Sequence, residues 1–85
     1  MIVSFEVTCP YHGVVQQIHS SEKEYVYERS ALFTVRTLSG SVVEVFSSFG
    51  GTLTSLLVSK GQQVSPKMVV ASVSEELSQI SLGSD

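Results

Sequence analysis

The stretch GTLTSLLVSKGQQVSPKMVVASV, residues 51–73, carries the pattern that decides the fold. Apolar residues gather in 52–58, at Val64 and in 68–73, and the polar pairs Lys60-Gly61 and Ser65-Pro66 separate them. Short runs rich in β-branched residues and bounded by Gly, Pro and Ser are typical of strands. Turn residues also recur too often for a helix to fit between them. We therefore predict an all-β stretch.

The same pattern occurs upstream in GVVQQIHSSEKEYVYERSALFTV, residues 13–35. A constant offset of 38 places Gly13 on Gly51 and Val26 on Val64. The other matched pairs are apolar or aromatic: Tyr11 and Phe49, Val15 and Leu53, Ile18 and Leu56, Leu32 and Val70, Val35 and Val73. Neither half has enough strands to bury its own apolar face. We predict one domain, residues 1–80, with repeat halves at about 10–37 and 48–75 related by a pseudo-two-fold axis, and a flexible tail at 81–85.

Further strands are predicted outside and between these runs. They are Ile2–Val7, Val14–His19, Tyr25–Tyr27, Ala31–Arg36 and Val42–Phe46. Only Glu75–Ile80 has a composition that suits a helical turn.

Composition narrows the function classes. The 85 residues are 42% hydrophobic and 15% charged, which predicts a single ordered domain. The chain has only five Lys and Arg residues in total and a net charge of −3, which argues against binding to nucleic acid. The single cysteine, Cys9, favours a reducing compartment. No signal-peptide pattern and no membrane-length apolar run occur in the chain, so we expect a cytoplasmic protein that binds no membrane.

The duplicated order of Gly, strand, Lys-Gly-like turn, Val, turn and final strand resembles the biotinyl and lipoyl domains. The resemblance covers roughly residues 8–75 and lies in the repeated pattern, not in a single motif. It implies a barrel-sandwich hybrid, a flattened β-barrel of two sheets whose halves are related by a pseudo-dyad.

In that family, the hairpin between the halves carries the modified lysine, within Met-Lys-Met or Asp-Lys-Ala. Aligning the family's Ala-Pro-x-x-Gly onto residues 47–51 and counting back places this lysine on Gly40. The neighbours Thr37, Leu38, Ser39 and Ser41 offer no amine. The resemblance therefore implies a missing attachment residue and no biotin or lipoyl cofactor. Gly40 instead suits a two-residue turn that needs a positive φ.

Other candidate groups favour ordinary structural roles. Lys23, Lys60 and Lys67 fall in turns within the halves, where a solvated surface lysine is the better interpretation. Cys9, His12 and His19 offer three metal ligands, but no further Cys or His pair completes a zinc set. Nor does the sequence show an orienting group or an oxyanion site for a Cys-His nucleophile. We predict no metal site and no catalytic site.

One group of acidic residues and one pair of aromatic residues are the remaining candidates for a functional site. Glu22, Glu24 and Glu28 are interpreted as a solvated turn. Tyr25 and Tyr27 lie on one face of any strand, where packing at the edge of the core is preferred to an exposed contact patch.

The hairpin formed by Leu38, Ser39, Gly40 and Ser41 is the candidate interaction site. Leu38 is unusually apolar for a turn, and Val42, Val43, Phe46 and Phe49 extend an apolar strip toward it. If this strip is exposed, it is a surface for a partner or for self-association. If the first strand, Ile2–Val7, covers it, the strip is core. The sequence leaves both alternatives open.

The leading functional interpretation is a non-enzymatic interaction or assembly module that binds a protein through the hairpin or an exposed sheet edge. The alternative is an accessory or degenerate carrier subunit of a carboxylase or an acyl-transfer complex. A membrane-fusion efflux adaptor ranks lower, because only Ser39-Gly40 stands where such an adaptor has a long helical hairpin. The sequence does not identify the partner or exclude a homo-oligomer.

Overall fold

The computed structural model describes residues 1–76, which form two four-stranded antiparallel sheets and no helix. The strands are β1 (Ile2–Thr8), β2 (Gly13–Ile18), β3 (Tyr25–Val26), β4 (Ala31–Thr37), β5 (Val42–Phe46), β6 (Gly51–Leu56), β7 (Gln63–Val64) and β8 (Val69–Glu76). Their order is β1-β8-β6-β3 in the first sheet and β5-β4-β2-β7 in the second. The predicted all-β fold is confirmed, and two antiparallel sheets agree with a flattened barrel-sandwich.

The strand registers repeat at the offset of 38 that the sequence predicts. Val15 opposes Val35 in the β2–β4 pair, and Leu53 opposes Val73 in the β6–β8 pair. The register of each pair shifts immediately after these residues. The two short strands each pair with a strand of the other half, since β7 pairs with β2 and β3 pairs with β6. Each sheet therefore contains strands of both halves. We call two residues that are 38 positions apart in the chain dyad mates.

The repeat also includes strands β1 and β5. Val7 opposes Ala71 in the β1–β8 pair, as its dyad mate Val45 opposes Phe33 in the β5–β4 pair. Strands β1 and β5 are therefore equivalent. Each lies just before one of the two repeat halves that the sequence predicts. Each forms one edge of its sheet.

The core lies between the two sheets and consists of the inward-facing side chains of both halves. Leu32 and its mate Val70, and Val35 and its mate Val73, are completely buried. The rest of the buried apolar set is Val7, Cys9, Val15, Val26, Phe33, Val45, Leu53, Val58, Val64 and Ala71. Burying each larger side chain contributes about 1.5–3 kcal/mol. Because the buried residues of both halves form one cluster, neither half has a core of its own.

Several predicted strand ends are wrong by one or two residues, and one predicted element is wrong in type. Strand β6 ends at Leu56, although the predicted strand extends to Val58. Glu75 and Glu76 belong to β8 and oppose Val3 and Ile2, so the predicted helical turn at 75–80 is wrong for these two residues. Residues 77–80 and the predicted tail, 81–85, lie outside the described residues. Pairing with β1 extends β8, and local composition does not encode that distant partner.

Candidate interaction site at the central hairpin

The hairpin between β4 and β5 is closed by a three-residue loop. The amide of Gly40 donates a hydrogen bond to the carbonyl oxygen of Thr37 at 2.9 Å. The amide of Thr37 donates one to the carbonyl oxygen of Ser41 at 2.8 Å. Gly40 has φ +91°, as predicted, but Leu38 and Ser39 do not have positive φ. The predicted two-residue turn is therefore wrong. A turn followed by one left-handed glycine is the usual three-residue solution, and its bulge matches the twist of the strands.

Hydroxyl groups brace this loop. The Thr37 Oγ1 atom lies 3.0 Å from Ser39 Oγ and accepts a hydrogen bond from the Ser41 amide at 3.2 Å. It lies 3.3 Å from the Ser41 carbonyl oxygen, to which it donates. One threonine thus ties both sides of the loop together. The loop is already ordered, so it would lose little further conformational entropy when a partner binds it.

The apolar strip predicted near the hairpin divides into an exposed part and a core part. Leu38 is 80% exposed and Val42 is 54% exposed. Val43 and Phe49, by contrast, pack against the core. Strand β1 lies in the other sheet and does not cover Leu38. The alternative in which the first strand buries the whole strip is therefore wrong.

The exposed residues form a row across the outer face of the second sheet. Arg36 opposes Val14 on one side and Val42 on the other, and all three side chains are exposed. Leu38 stands at the end of this row, on the loop. We call these four residues the hairpin patch. Among residues 1–76 the only ion pair joins the Met1 amino group to Glu76, so the Arg36 guanidinium has no carboxylate partner in the described part of the chain.

A concave region of about 400 Å³ adjoins the patch. Its walls include Val14 and Leu38 from the patch, His12 from the turn before β2, and Gln63 and Ser65 from β7 and the residue after it. We call it the hairpin pocket. Its lining combines apolar surface with an imidazole, an amide and a hydroxyl. This mixture suits a protein side chain or a small ligand.

The dyad mates of the patch provide an internal comparison. Positions 14, 36, 38 and 42 correspond to Thr52, Ser74, Glu76 and Ser4. Val14, Arg36 and Val42 occupy the registers of Thr52, Ser74 and Ser4 on the outer faces of equivalent sheets, so the fold makes the same demands on these three pairs. The fourth pair differs, because Leu38 lies on the loop and Glu76 lies in β8. One set is polar and the other is largely apolar. The apolar character of the hairpin patch is therefore not a requirement of the fold.

The structure does not bring the predicted metal candidates together. The Cys9 thiol is buried and hydrogen-bonds to the backbone of Tyr11, and the His19 Nε2 atom lies 2.6 Å from Thr34 Oγ1. His12 is exposed and lines the hairpin pocket. Within residues 1–76, no three His, Cys, Asp or Glu side chains are close enough together to hold a metal ion.

The lysines and glutamates lie in the turns within the halves. Lys23, Lys60 and Lys67 are all exposed there, away from the central hairpin. Two of the predicted solvated carboxylates have structural roles. Glu22 accepts a hydrogen bond from the Leu56 amide at 2.9 Å, and Glu24 accepts one from the Ser21 amide at 2.8 Å.

Tyr25 and Tyr27 lie on the surface. They are 56% and 68% exposed, and their rings meet edge to face with centroids 5.0 Å apart. The preference for packing at the core edge is therefore wrong. The reason is that β3 is a two-residue edge strand, and only Val26 between the tyrosines points into the core.

Comparison with known proteins shows the fold. No protein-family model matches the chain, and no curated protein is significantly similar to it. Within residues 1–76, no helix is long and apolar enough to span a bilayer. The solved structure of urea carboxylase from Kluyveromyces lactis is similar over 84% of this chain, with a TM-score of 0.76 and 14% sequence identity. The chain matches only 6% of the length of that carboxylase. This chain therefore has the fold of a small part of a carboxylase.

Proposed function

We propose that the chain is a biotinyl/lipoyl-like domain without an attachment lysine, which acts as a non-enzymatic protein-protein interaction or assembly module. The observation that carries this proposal is the hairpin patch, which is exposed and largely apolar where its dyad mates are polar. In the resemblance to the carrier domains, the patch surrounds the place where a cofactor would be tethered. The surface that would carry a cofactor in those domains instead binds a partner protein.

The mechanism is burial of a preformed surface. Leu38 and Val42 lie on a loop and a strand that are already ordered by hydrogen bonds and sheet pairing. Covering them removes apolar area from water without first ordering the chain. Exposed apolar patches that are rimmed by polar residues are typical of protein contact sites.

The sequence of the hairpin supports action without a tether. Positions 37–42 contain no lysine, and Gly40 stands where the family alignment requires one. The three candidate lysines are in turns within the halves. The single buried thiol supports our proposal of a reducing, cytoplasmic location.

Two measurements test the proposal. The chain is co-expressed with biotin and lipoyl ligases, and its intact mass is measured. We expect the unmodified mass, whereas a biotinyl or lipoyl adduct would overturn the proposal. Affinity purification from the native cells then compares the wild type with Leu38→Glu, which introduces the residue of the dyad mate. Loss of the captured protein is expected. The matched control is Leu57→His, which replaces an exposed apolar side chain just after β6, in the other sheet, by the residue of its own mate, His19.

A second candidate is an accessory or degenerate carrier subunit of a carboxylase or an acyl-transfer complex. The fold shared with a part of urea carboxylase favours the carboxylase version of this role. Capture of carboxylase subunits by the wild type, with no cofactor on the chain, would select this candidate. Capture of proteins from unrelated assemblies would select the general interaction module.

A further inference from the structure

We infer that the hairpin pocket and the hairpin patch together bind an extended, acidic segment of another protein, with an aromatic side chain in the pocket and a carboxylate on Arg36. This inference rests on the proposed function and adds the chemistry of the partner. Three features of the structure carry it: the dyad-related site, the charge of the patch and the edge of the sheet.

At the dyad-related site the chain itself supplies aromatic residues. Tyr25 is the mate of Gln63, and Tyr27 is the mate of Ser65. The Tyr25 hydroxyl lies 3.6 Å from where a Cβ on Gly50, the mate of His12, would be. At the dyad-related site, the hydroxyl end of a tyrosine supplied by the chain itself thus lies at this position.

At the hairpin pocket the corresponding side chains are smaller. Gln63 and Ser65 replace two tyrosines, and a space of about 400 Å³ is left beside Val14 and Leu38. An aromatic side chain from outside would pack against the apolar wall formed by these two residues. The Gln63 amide and the His12 imidazole at the rim are suited to hydrogen-bond a phenolic hydroxyl.

The charge of the patch specifies the second group. Arg36 is exposed between Val14 and Val42 and forms no ion pair within residues 1–76. Glu44 follows on the same face of β5 but also forms no ion pair with it. A partner that covers the two valines removes water from the guanidinium, and this costs free energy unless a carboxylate replaces the water. Charge complementarity therefore favours an acidic partner, and a guanidinium binds a carboxylate through two parallel hydrogen bonds.

The sheet edge favours an extended conformation for the bound segment. Strand β7, which contributes Gln63 and Val64 to the pocket, is the edge strand of its sheet and has only two residues. An extended segment laid beside such an edge gains main-chain hydrogen bonds while its alternate side chains reach the pocket and the patch.

The test uses a phage-displayed library of random short peptides, selected on the immobilised wild-type chain. We expect the enriched peptides to share an aromatic residue and an Asp or Glu a few positions away. One enriched peptide is labelled with a fluorophore, and its affinity is measured by anisotropy. Leu38→Glu is expected to weaken binding about tenfold or more, and Arg36→Ser, which introduces the mate of Arg36, about fivefold.

A double-mutant cycle identifies the ionic contact. Replacing the acidic residue of the peptide by its amide should weaken binding to the wild type and have almost no effect on Arg36→Ser. Leu57→His is the matched control and should bind as the wild type does. Circular dichroism and thermal unfolding of every variant separate lost binding from lost folding.

The outcomes separate this inference from the proposed function. Enriched peptides that bind through Leu38 but lack the aromatic and acidic residues would overturn the inference and leave the proposed function standing. Failure to enrich any peptide would also overturn the inference and leave the proposed function standing. So would a Leu38-dependent dimer that forms without peptide, because the occupant of the patch would then be a second copy of the chain. A cofactor adduct in the intact mass would instead overturn the proposed function.

Discussion

Cys9 and Ser47 are dyad mates that perform the same structural task with different atoms. The Cys9 thiol donates to the carbonyl oxygen of Tyr11 at 3.3 Å and accepts from the amide of Tyr11 at 3.4 Å. The Ser47 hydroxyl donates to the carbonyl oxygen of Phe49 at 2.6 Å and accepts from its amide at 3.3 Å. Both side chains are 1% exposed. Each fixes the chain where an edge strand ends and turns toward the next strand.

This equivalence predicts that Cys9→Ser is tolerated. A hydroxyl reproduces both hydrogen bonds, so the free energy of unfolding should change by no more than about 1 kcal/mol. Cys9→Ala leaves the Tyr11 backbone groups without this partner and should cost about 1–2 kcal/mol more. Urea titration followed by circular dichroism measures both values. If Cys9→Ser were as damaging as Cys9→Ala, the thiol would have a role that its mate does not have.

The turns of the two halves predict a stabilising substitution at Lys23. Lys23 has φ +75°, and its dyad mate is Gly61, which has φ +90°. A side chain in the left-handed region costs about 1–2 kcal/mol, and glycine avoids this cost but loses about 0.5–1 kcal/mol of backbone entropy. Lys23→Gly should therefore stabilise the fold by about 0.5–1 kcal/mol.

Lys60→Gly is the matched control for this prediction. Lys60 is also an exposed turn lysine, but its φ is not positive. Here glycine brings only the entropic loss, so the midpoint of thermal unfolding should fall slightly. A rise in both midpoints would mean that lost positive charge, not backbone strain, explains the effect.

Gly13 and Gly51 are predicted to tolerate no side chain. A Cβ on Gly13 would overlap the carbonyl oxygen of Arg36, and a Cβ on Gly51 would overlap that of Ser74. Both neighbours are backbone atoms of paired strands and cannot move aside separately. Gly13→Ala and Gly51→Ala should each cost about 3 kcal/mol or more.

Gly40→Ala is the comparison for these two variants. Nothing lies within 4 Å of a Cβ at Gly40, so only the positive φ opposes a side chain there. The expected cost is about 1–2 kcal/mol. Chemical denaturation should therefore rank Gly40→Ala well above the other two in stability. An equal loss at all three positions would contradict the close approach of the strands.

A graft tests whether Gly40 occupies the position of the family's lysine. The variant Ser39→Met, Gly40→Lys and Ser41→Met places Met-Lys-Met on the hairpin tip. With a biotin ligase co-expressed, we expect one biotinyl group on this variant and none on the wild type. Lysine in place of Gly40 alone is the control for the flanking methionines. If the folded graft were never biotinylated, the alignment that places the attachment lysine on residue 40 would be wrong.

The repeat and the strand content were predictable from sequence because they depend on local patterns. Gly13 and Gly51, and Val26 and Val64, mark the same offset that the strand registers follow. The equivalence of β1 and β5 was harder to see, since their outer faces have diverged to Ser4 and Thr8 in one and Val42 and Phe46 in the other. The signal that could have revealed it is the alignment of Cys9 with Ser47 and of Val7 with Val45.

The sequence by itself determined an all-β chain with an internal two-fold repeat, a glycine at the hairpin tip and no lysine beside it. Only the tertiary structure decided that Leu38 is exposed, that β1 belongs to the sheet opposite the hairpin, and that Tyr25 and Tyr27 lie on the surface. The physical reason is that alternation places a residue on one face of a strand, whereas exposure depends on which distant strand covers that face. The hairpin patch became visible only when the two halves could be compared as equivalent surfaces.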